Sequence, residues 1–175
     1  MKPTPVCCFG EVLIDFLQDK AQPGLFHRFA GGAPANVAVA VARLGGHSKF
    51  IGMLGKDMFG DFLLQELQSY GVDCSAVRQT LDAKTALAFV ALNDQGDRSF
   101  SFYRPPAADL LYLPEDCPPD LWQQPGIYYD TIPNYLKCDS IIEASRQTGM
   151  KVGVIFPSRF YDQALLLKKA MDTAK

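Results

Sequence analysis

The segment best suited to ligand binding is a loop of small residues over 31–36, Gly-Gly-Ala-Pro-Ala-Asn. Gly31 and Gly32 lack a β-carbon, so their backbone N–H groups can approach a ligand closely. The loop enters an apolar stretch, 37–44, that we predict to be a buried helix, and the positive end of its dipole would point at the same place. Asn36 adds a side-chain donor and acceptor. The pattern suits a polyhydroxyl or phosphorylated small molecule, although a tight turn that binds nothing has the same composition.

Asp15 is the second candidate group. It closely follows the apolar residues 6–10, which we predict to form a buried strand. We expect Asp15 at the carboxyl edge of the main sheet, where open α/β folds bind ligands. A carboxylate there could accept hydrogen bonds from two neighbouring sugar hydroxyls. For the nearby Glu11 we expect a structural role.

The cysteines do not form a metal-binding pattern. The chain has five of them, no Cys-x-x-Cys pair and only two histidines. A His/Cys metal site would therefore require distant segments to converge. We interpret the cysteines as small buried side chains of a protein from a reducing compartment. They are Cys7, Cys8, Cys74, Cys117 and Cys138.

The overall composition is that of an ordinary globular protein. The 175 residues are 48% hydrophobic and 21% charged, with a formal net charge of -2. No basic excess points to nucleic acid, and the apolar runs are far shorter than the ~20 residues of a membrane span. The first residues lack the apolar core of a signal peptide. We therefore expect a cytoplasmic protein with neither nucleic-acid nor membrane partners.

Strands and helices alternate along the first part of the chain. We predict strands at 6–10 and 50–54 and a helix at 58–69, which Asp57 would cap. Alternating valines in 37–44 are also compatible with a strand, but the intervening alanines and the following Gly-Gly favour a helix. This alternation predicts a mostly parallel sheet with helices on both faces.

A different pattern follows at 85–92 and 98–104. A polar turn, 93–97, separates these two stretches, and aromatic and polar residues alternate from 98 onwards. We predict an antiparallel hairpin that forms a flap beside the main sheet. The remaining predictions are a connecting segment at 110–125, strands at 126–129 and 151–156, and helices at about 139–148 and 162–174.

Together these segments resemble a known family. Residues 31–38, with Gly45 and Gly55, are similar to the first signature of the ribokinase-like (pfkB) carbohydrate kinases. Residues 9–15 resemble that family's first strand and its sugar-binding aspartate, and 51–60 resemble its second block. Further similarity, to fructokinases in particular, is carried by 85–90, 100–104 and 107–109. The ordered blocks cover roughly residues 6–125.

The resemblance implies an α/β, ribokinase-like fold with a small antiparallel β lid. It implies that 1–175 form the substrate-binding part of a single sugar-kinase domain, with lid strands at about 11–30 and 85–104. The implied activity is ATP-dependent phosphorylation of a sugar, with fructose as the first candidate. In the family a lid of this kind often joins two subunits, so a homodimer is expected.

The resemblance also assigns roles to individual residues. Four of them would hold the sugar hydroxyls: Asp15, Gly31, Gly32 and Asn36. Tyr103 and Arg104, on the flap, would close over the sugar and exclude water, unless they are ordinary surface residues of a hairpin.

Two parts of the family pattern are missing. The second signature, Asp-Thr-x-Gly-Ala-Gly-Asp, supplies the general base and the anion hole, and no such string occurs up to Lys175. We therefore expect the nucleotide-binding half, with the sites for ATP, Mg²⁺ and K⁺, to lie beyond Lys175, and the 175 residues alone to be inactive. The family's Asp-Pro-Asn-x-Arg block is also altered, because Phe156 and Ser158 replace its Asp and Asn. Arg159 is kept as a candidate for binding sugar or phosphate.

Two other functions fit the same residues. The chain could be a catalytically dead sugar-binding or regulatory fragment, because the general base is missing. It could also belong to a nucleoside kinase, or a kinase of another furanose, from the same superfamily.

Overall fold

The computed structural model describes residues 5–22, 24–92, 98–104, 106–113 and 116, and the backbone of 127–130 and 151–154. Its strands are β1 Val6–Phe9, β2 Leu13–Gln18, β3 Phe26–Gly31, β4 Ser48–Gly55, β5 Asp73–Thr80, β6 Leu87–Leu92, β7 Arg98–Tyr103, β8 Ile127–Asp130 and β9 Lys151–Val154. Its helices are α1 Ala33–Arg43, α2 Met58–Ser69 and a 3-10 turn, Ala108–Leu111.

Five strands form the main sheet, in the order β5-β4-β1-β8-β9, and every neighbouring pair is parallel. The parallel sheet expected from the sequence is thus confirmed. Strand β4 is buried along almost its whole length, as is typical of a parallel strand that is covered on both faces. Strand β5 was not predicted, because its sequence is mostly polar and exposed, which suits the edge of the described sheet.

Both α-helices pack on the same face of the main sheet. The chain passes from β1 to β4 and then to β5, always in one direction, and right-handed crossovers then place both helices on one side. The second face carries a small cluster of Cys7, Ile51 and Ala76, against which Tyr112 packs. The helices predicted at about 139–148 and 162–174 lie outside the described residues. The core between the sheet and the two helices consists of Cys8, Val12, Ile14, Ala35, Ala38, Phe50, Leu54, Leu63, Leu67 and Val72.

The sequence located α2 correctly. Asp57 caps it, since its carboxylate accepts hydrogen bonds from the backbone N–H groups of Phe59 at 3.1 Å and Gly60 at 2.9 Å. Helix α1 is also confirmed, and the residues after it turn away at Gly45, whose φ of 81° favours glycine.

The other four strands form a second sheet, in the order β3-β2-β6-β7. The predicted hairpin is confirmed as the antiparallel pair β6–β7, and β2–β3 is a second antiparallel pair. The expected purely antiparallel arrangement is nevertheless incomplete, because β2 and β6 are parallel. Strands β1 and β5 are parallel, so both end at the same edge of the main sheet, and from there the chain continues into the second sheet. The strands that follow them, β2 and β6, therefore run in the same direction.

The second sheet rests on α2 through one of its faces. Phe16 contacts Phe59 of α2 with ring centroids 5.8 Å apart and stacks on Phe89 at 5.0 Å. The guanidinium of Arg28 lies 3.8 Å from the ring centroid of Phe62, also on α2. These contacts fix the sheet beside the carboxyl ends of the main strands.

Candidate functional site

The site lies where the chain leaves strand β1. This strand has β4 on one side and β8 on the other, so the order of the main sheet reverses here. In open α/β sheets the crevice at such a reversal, beyond the carboxyl ends of the strands, is the usual place for a ligand. Residues 10–12 cross this edge and lead directly into β2.

Asp15 lies over the α-carbon of Gly31. Leu13 is the register partner of Gly31 in the antiparallel pair β2–β3, so Asp15, two residues on, is a diagonal neighbour on the same face. A β-carbon added to Gly31 would overlap Oδ2 of Asp15 and lie 2.7 Å from its Cγ. The structure therefore brings the carboxylate and the glycine pair together.

The exact position of Asp15 differs from the prediction. Gly10 has a φ of 137° and ends the first strand, and a new strand begins at Leu13. As a result, Asp15 lies inside β2 of the second sheet and not at the edge of the main sheet.

Gly32 is required for two independent reasons. Its φ of 106° lies in the region that only glycine adopts readily. An added β-carbon would also lie 2.6 Å from the backbone oxygen of Glu11 and 2.9 Å from the α-carbon of Val12. The segment that leaves β1 is therefore packed directly on the glycine pair.

The first turn of α1 provides hydrogen-bond donors next to this glycine pair. Gly32 is the N-cap and has no side chain, so the helix has no side-chain cap. The backbone N–H of Asn36 is used within the helix, to the oxygen of Gly32 at 2.9 Å, while the Asn36 side chain is exposed. The first turn thus keeps unpaired backbone donors, as all helix N-termini do without a cap.

A group of three charged residues, the Glu11–Arg104–Asp109 triad, borders the site. Nη1 of Arg104 donates to Oε2 of Glu11 at 2.7 Å, and Nη2 donates to Oδ2 of Asp109. The Asp109 side chain is 3% exposed, and within the described part of the chain its Oδ1 has no hydrogen-bond partner. The sequence assigned no chemistry to Glu11 or Asp109. Glu11 and Arg104 are 93 positions apart in the sequence, so no local signal predicts their pairing.

Burial and the charge of Glu11 raise the pKa of two carboxyl groups of the site, Asp15 and Asp109. Burial, and then the charge of Glu11, raise the pKa of Asp15 above its ordinary value. Burial also raises the pKa of Asp109; Arg104 opposes this shift and Glu11 adds to it. Among the described residues, none donates a hydrogen bond to the Asp15 carboxylate. The site is therefore rich in acceptors and, at Asp15, lacks donors.

Tyr103, which the sequence also predicted for the site, faces away from Asp15. Tyr103 pairs with Leu87, which pairs with Ile14, so its side chain is on the opposite face of the second sheet. It contacts Phe89 with ring centroids 5.2 Å apart and is largely exposed. Arg159 lies outside the described residues.

The part of the chain that the structure describes contains neither a candidate metal site nor a helix that could span a membrane. No three His, Cys, Asp or Glu side chains there are arranged to hold a metal ion. None of the helices found there is long and apolar enough to cross a membrane.

Comparison with known proteins identifies the family. The sequence model of the pfkB family carbohydrate kinases matches residues 3–149. The chain belongs to this family. It is 47% identical over 131 residues to the probable fructokinase-7 of Arabidopsis thaliana, a match that covers 72% of this chain and 38% of that protein.

Solved structures of pfkB relatives share the fold. Fructokinase from Xylella fastidiosa with bound ATP superposes with a TM-score of 0.75 at 45% identity, over 87% of this chain and 51% of that one. Fructokinase from Vibrio cholerae in its fructose, ADP and calcium ion bound form gives a TM-score of 0.71 at 30% identity, over 86% and 50%. The chain thus spans about half the length of these relatives or less.

Proposed function

We propose that this chain forms the sugar-binding part of an ATP-dependent fructokinase. The observation that carries the proposal is the Asp15 carboxylate, which is half-buried over the glycine pair and accepts no hydrogen bond from any described residue. Each sugar hydroxyl is both a donor and an acceptor. Two hydroxyls on neighbouring carbons could donate to Asp15, and hydrogen bonds to a charged group contribute about 1.5–3 kcal/mol each.

The other predicted ligands complement Asp15 with donors. In this proposal the backbone N–H groups at Gly31 and Gly32 and the amide of Asn36 bind the hydroxyl oxygens of the same sugar. Arg104 uses two of its five N–H donors in its ion pairs and keeps three for the ligand or for water. Arg159 remains a proposed ligand for sugar or phosphate.

The second sheet serves as a lid in this proposal. A kinase must transfer the phosphoryl group to a sugar hydroxyl and not to water, so it must exclude water from the closed site. The sheet carries Asp15 itself and is fixed to α2, so any sugar on Asp15 lies beneath it. Tyr103, at its exposed end, would act at the rim of the lid.

ATP is proposed as the phosphoryl donor because of the family and because a related fructokinase structure contains bound ATP. When bound, MgATP supplies the phosphoryl group, and the metal balances the charge of the phosphates. The described residues contain no cluster fit for a metal ion. In this proposal they bind and orient the acceptor hydroxyl of the sugar. The thiols of Cys8 and Cys74, neither of which forms a disulfide within the described residues, suit a cytoplasmic location.

We also propose that the lid joins two copies of this protein. Phe100 and Phe102 stack on each other at 6.0 Å and are 52% and 55% exposed, on the same face as Asp15. A second copy that covers them would remove a large apolar surface from water. Light scattering should detect a dimer, which the double variant Phe100→Ser/Phe102→Ser should dissociate; a parent that remains monomeric contradicts this proposal.

The activity is tested on the complete gene product. Incubated with fructose and MgATP, it should form ADP and a fructose phosphate, and the Asp15→Asn variant should lose at least about a hundredfold in kcat/KM. A panel with adenosine and aminoimidazole riboside distinguishes a nucleoside kinase. Calorimetry of the 175-residue chain with fructose distinguishes a third case. If the chain binds fructose but the gene product shows no turnover, the result supports a sugar-binding module instead. The proposal would be overturned if the gene product showed no turnover with any sugar and the 175-residue chain bound none of them.

A further inference from the structure

We infer that Glu11 and Asp109 are specificity-determining residues, which neutralise Arg104 and so restrict the site to uncharged sugars. This inference rests on the proposed function and deepens it, because it concerns the charge of the sugar that the site accepts. It follows from three observations, on the contacts within the triad, on the burial of Asp109 and on the position of Glu11 beside Gly32.

The first observation is that both carboxylates bind the same guanidinium. Arg104 donates through Nη1 to Glu11 and through Nη2 to Asp109. The two Nη atoms form the fork with which arginine usually binds a carboxylate or phosphate of a ligand. Here one protein carboxylate lies on each tip of the fork, so this binding mode is already occupied.

The second observation is the burial of Asp109. Its side chain is 3% exposed, and its other oxygen has no hydrogen-bond partner among the residues that the structure describes. Water and neutral donors therefore contribute little to stabilising its charge, and Arg104 is its main source of compensation. Such a pair persists in the folded protein because breaking it would leave a buried charge unpaired.

The third observation places the triad beside the proposed sugar. The backbone oxygen of Glu11 lies against Gly32, and the charge of Glu11 acts on Asp15. Among the described residues, the site thus has three carboxylates and one guanidinium, and the net charge of these four groups is negative. A sugar acid or sugar phosphate would be repelled, whereas a neutral sugar would donate its hydroxyls to the unpaired acceptors.

The experiment compares neutral and anionic sugars by calorimetry on the 175-residue chain. The probes are D-fructose, 2-keto-D-gluconate and D-fructuronate; the two acids carry a carboxylate in place of one or the other hydroxymethyl group of fructose. The parent should bind both acids at least about tenfold more weakly than fructose. In Glu11→Gln/Asp109→Asn, which frees the fork of Arg104, affinity for at least one acid relative to fructose should rise about tenfold.

Two further variants make the test specific. Asp61→Asn/Asp82→Asn removes the same amount of charge from exposed positions and should leave the ratio of affinities unchanged. Adding Arg104→Gln to the double variant should abolish the gain. If circular dichroism shows that the double variant does not fold, the single variant Glu11→Gln replaces it in the test. Its affinity for an acid relative to fructose should rise about threefold.

Three results would overturn the inference. One is an unchanged ratio in a folded double variant, and another is a gain that persists without Arg104. The third is a parent that binds an acid as tightly as fructose; this result would leave the sugar site itself intact. A parent that binds none of the three sugars would instead refute the proposed function, and the inference with it.

Discussion

The carboxylate of Asp15 occupies the place beside Gly31 where any other residue would have its β-carbon. An added methyl group would overlap Oδ2 of Asp15, while the backbone of Gly31 itself is not in the glycine-only region. We therefore predict that Gly31→Ala acts by displacing Asp15. Fructose affinity of the 175-residue chain, measured by calorimetry, should fall at least about tenfold.

The matched control for Gly31→Ala is Gly24→Ala. A β-carbon at Gly24 has no heavy atom within 4 Å, so this variant should bind fructose as the parent does. If Gly31→Ala keeps parental affinity, Asp15 does not hold the sugar from the position described above.

Asp15 is predicted to reduce the stability of the ligand-free protein. Its half-buried charge accepts no hydrogen bond from the described residues, and burial, together with the nearby charge of Glu11, raises its pKa. Asp15→Asn removes the charge and should raise Tm by about 1–2 °C, given the partial exposure of the site. The same variant should lose fructose binding, so that stability and affinity change in opposite directions. A lower Tm for the variant would contradict this account.

The pH dependence of that effect has a definite sign. Between the unfolded pKa of 3.8 and the higher folded pKa, the native state binds more protons at Asp15 than the unfolded state does. The free energy of unfolding therefore falls as pH rises through this window. The stability gained by Asp15→Asn should be absent below pH 3.8, grow through the window and then level off. Urea unfolding at several pH values measures it, and a gain that shrinks with rising pH would contradict the assignment.

Local signals explain why the sequence located the helices and the glycine pair. Asp57 supplies the cap of α2, and Gly45 ends the turn after α1. The hairpin β6–β7 follows from the polar turn over 93–97 and from the alternation of aromatic and polar residues in the first part of 98–104. Each of these features is encoded within about a dozen neighbouring residues, so a single sequence contains enough information to predict them.

What the sequence did not reveal depends on distant contacts. Strand β5 has few apolar residues because it lies at the edge of the described sheet, so its pattern resembles a loop. The triad unites Glu11 with two residues of a segment more than 90 positions away, and ordinary surface charges have the same composition. The parallel pairing of β2 and β6 depends on where β1 and β5 end in space. None of these features has a local signature.

The buried thiols give a simple test of the core. Cys7 and Cys8 are 1% and 0% exposed, and burial, with a smaller contribution from Cys7, raises the pKa of Cys8 to about 12. Since the thiolate is the reactive form, native Cys8 should resist alkylation by N-ethylmaleimide at pH 8. Mass spectrometry of peptides should show modification only after unfolding in urea. Rapid labelling of Cys8 in the native protein would contradict its place between the sheet and the helices.

Asp57 is predicted to be the residue on which the junction of the two sheets depends most. Besides capping α2, its carboxylate accepts hydrogen bonds from the backbone N–H and the hydroxyl of Thr85, both at 2.9 Å. Thr85 immediately precedes Ala86, whose oxygen accepts from the N–H of Ile14, next to Asp15. Asp57→Ala should lower the free energy of unfolding in urea by about 2–3 kcal/mol, the sum of a lost cap and an unsatisfied Thr85.

The control for Asp57→Ala is Asp61→Ala, which removes an exposed carboxylate from the first turn of α2 together with its hydrogen bond from Gln79 and should lower stability by no more than about 1 kcal/mol. The pKa of Asp57 gives a second check: burial raises it, but the hydrogen bonds from Thr85, Gly60 and Phe59 outweigh burial and lower it overall. Its stabilising contribution should therefore be complete above pH 3.8 and disappear as pH falls below that value. The difference between parent and Asp57→Ala should shrink in acid; a difference that stays constant down to the acid transition would show that Asp57 does not stabilise the junction through its charge.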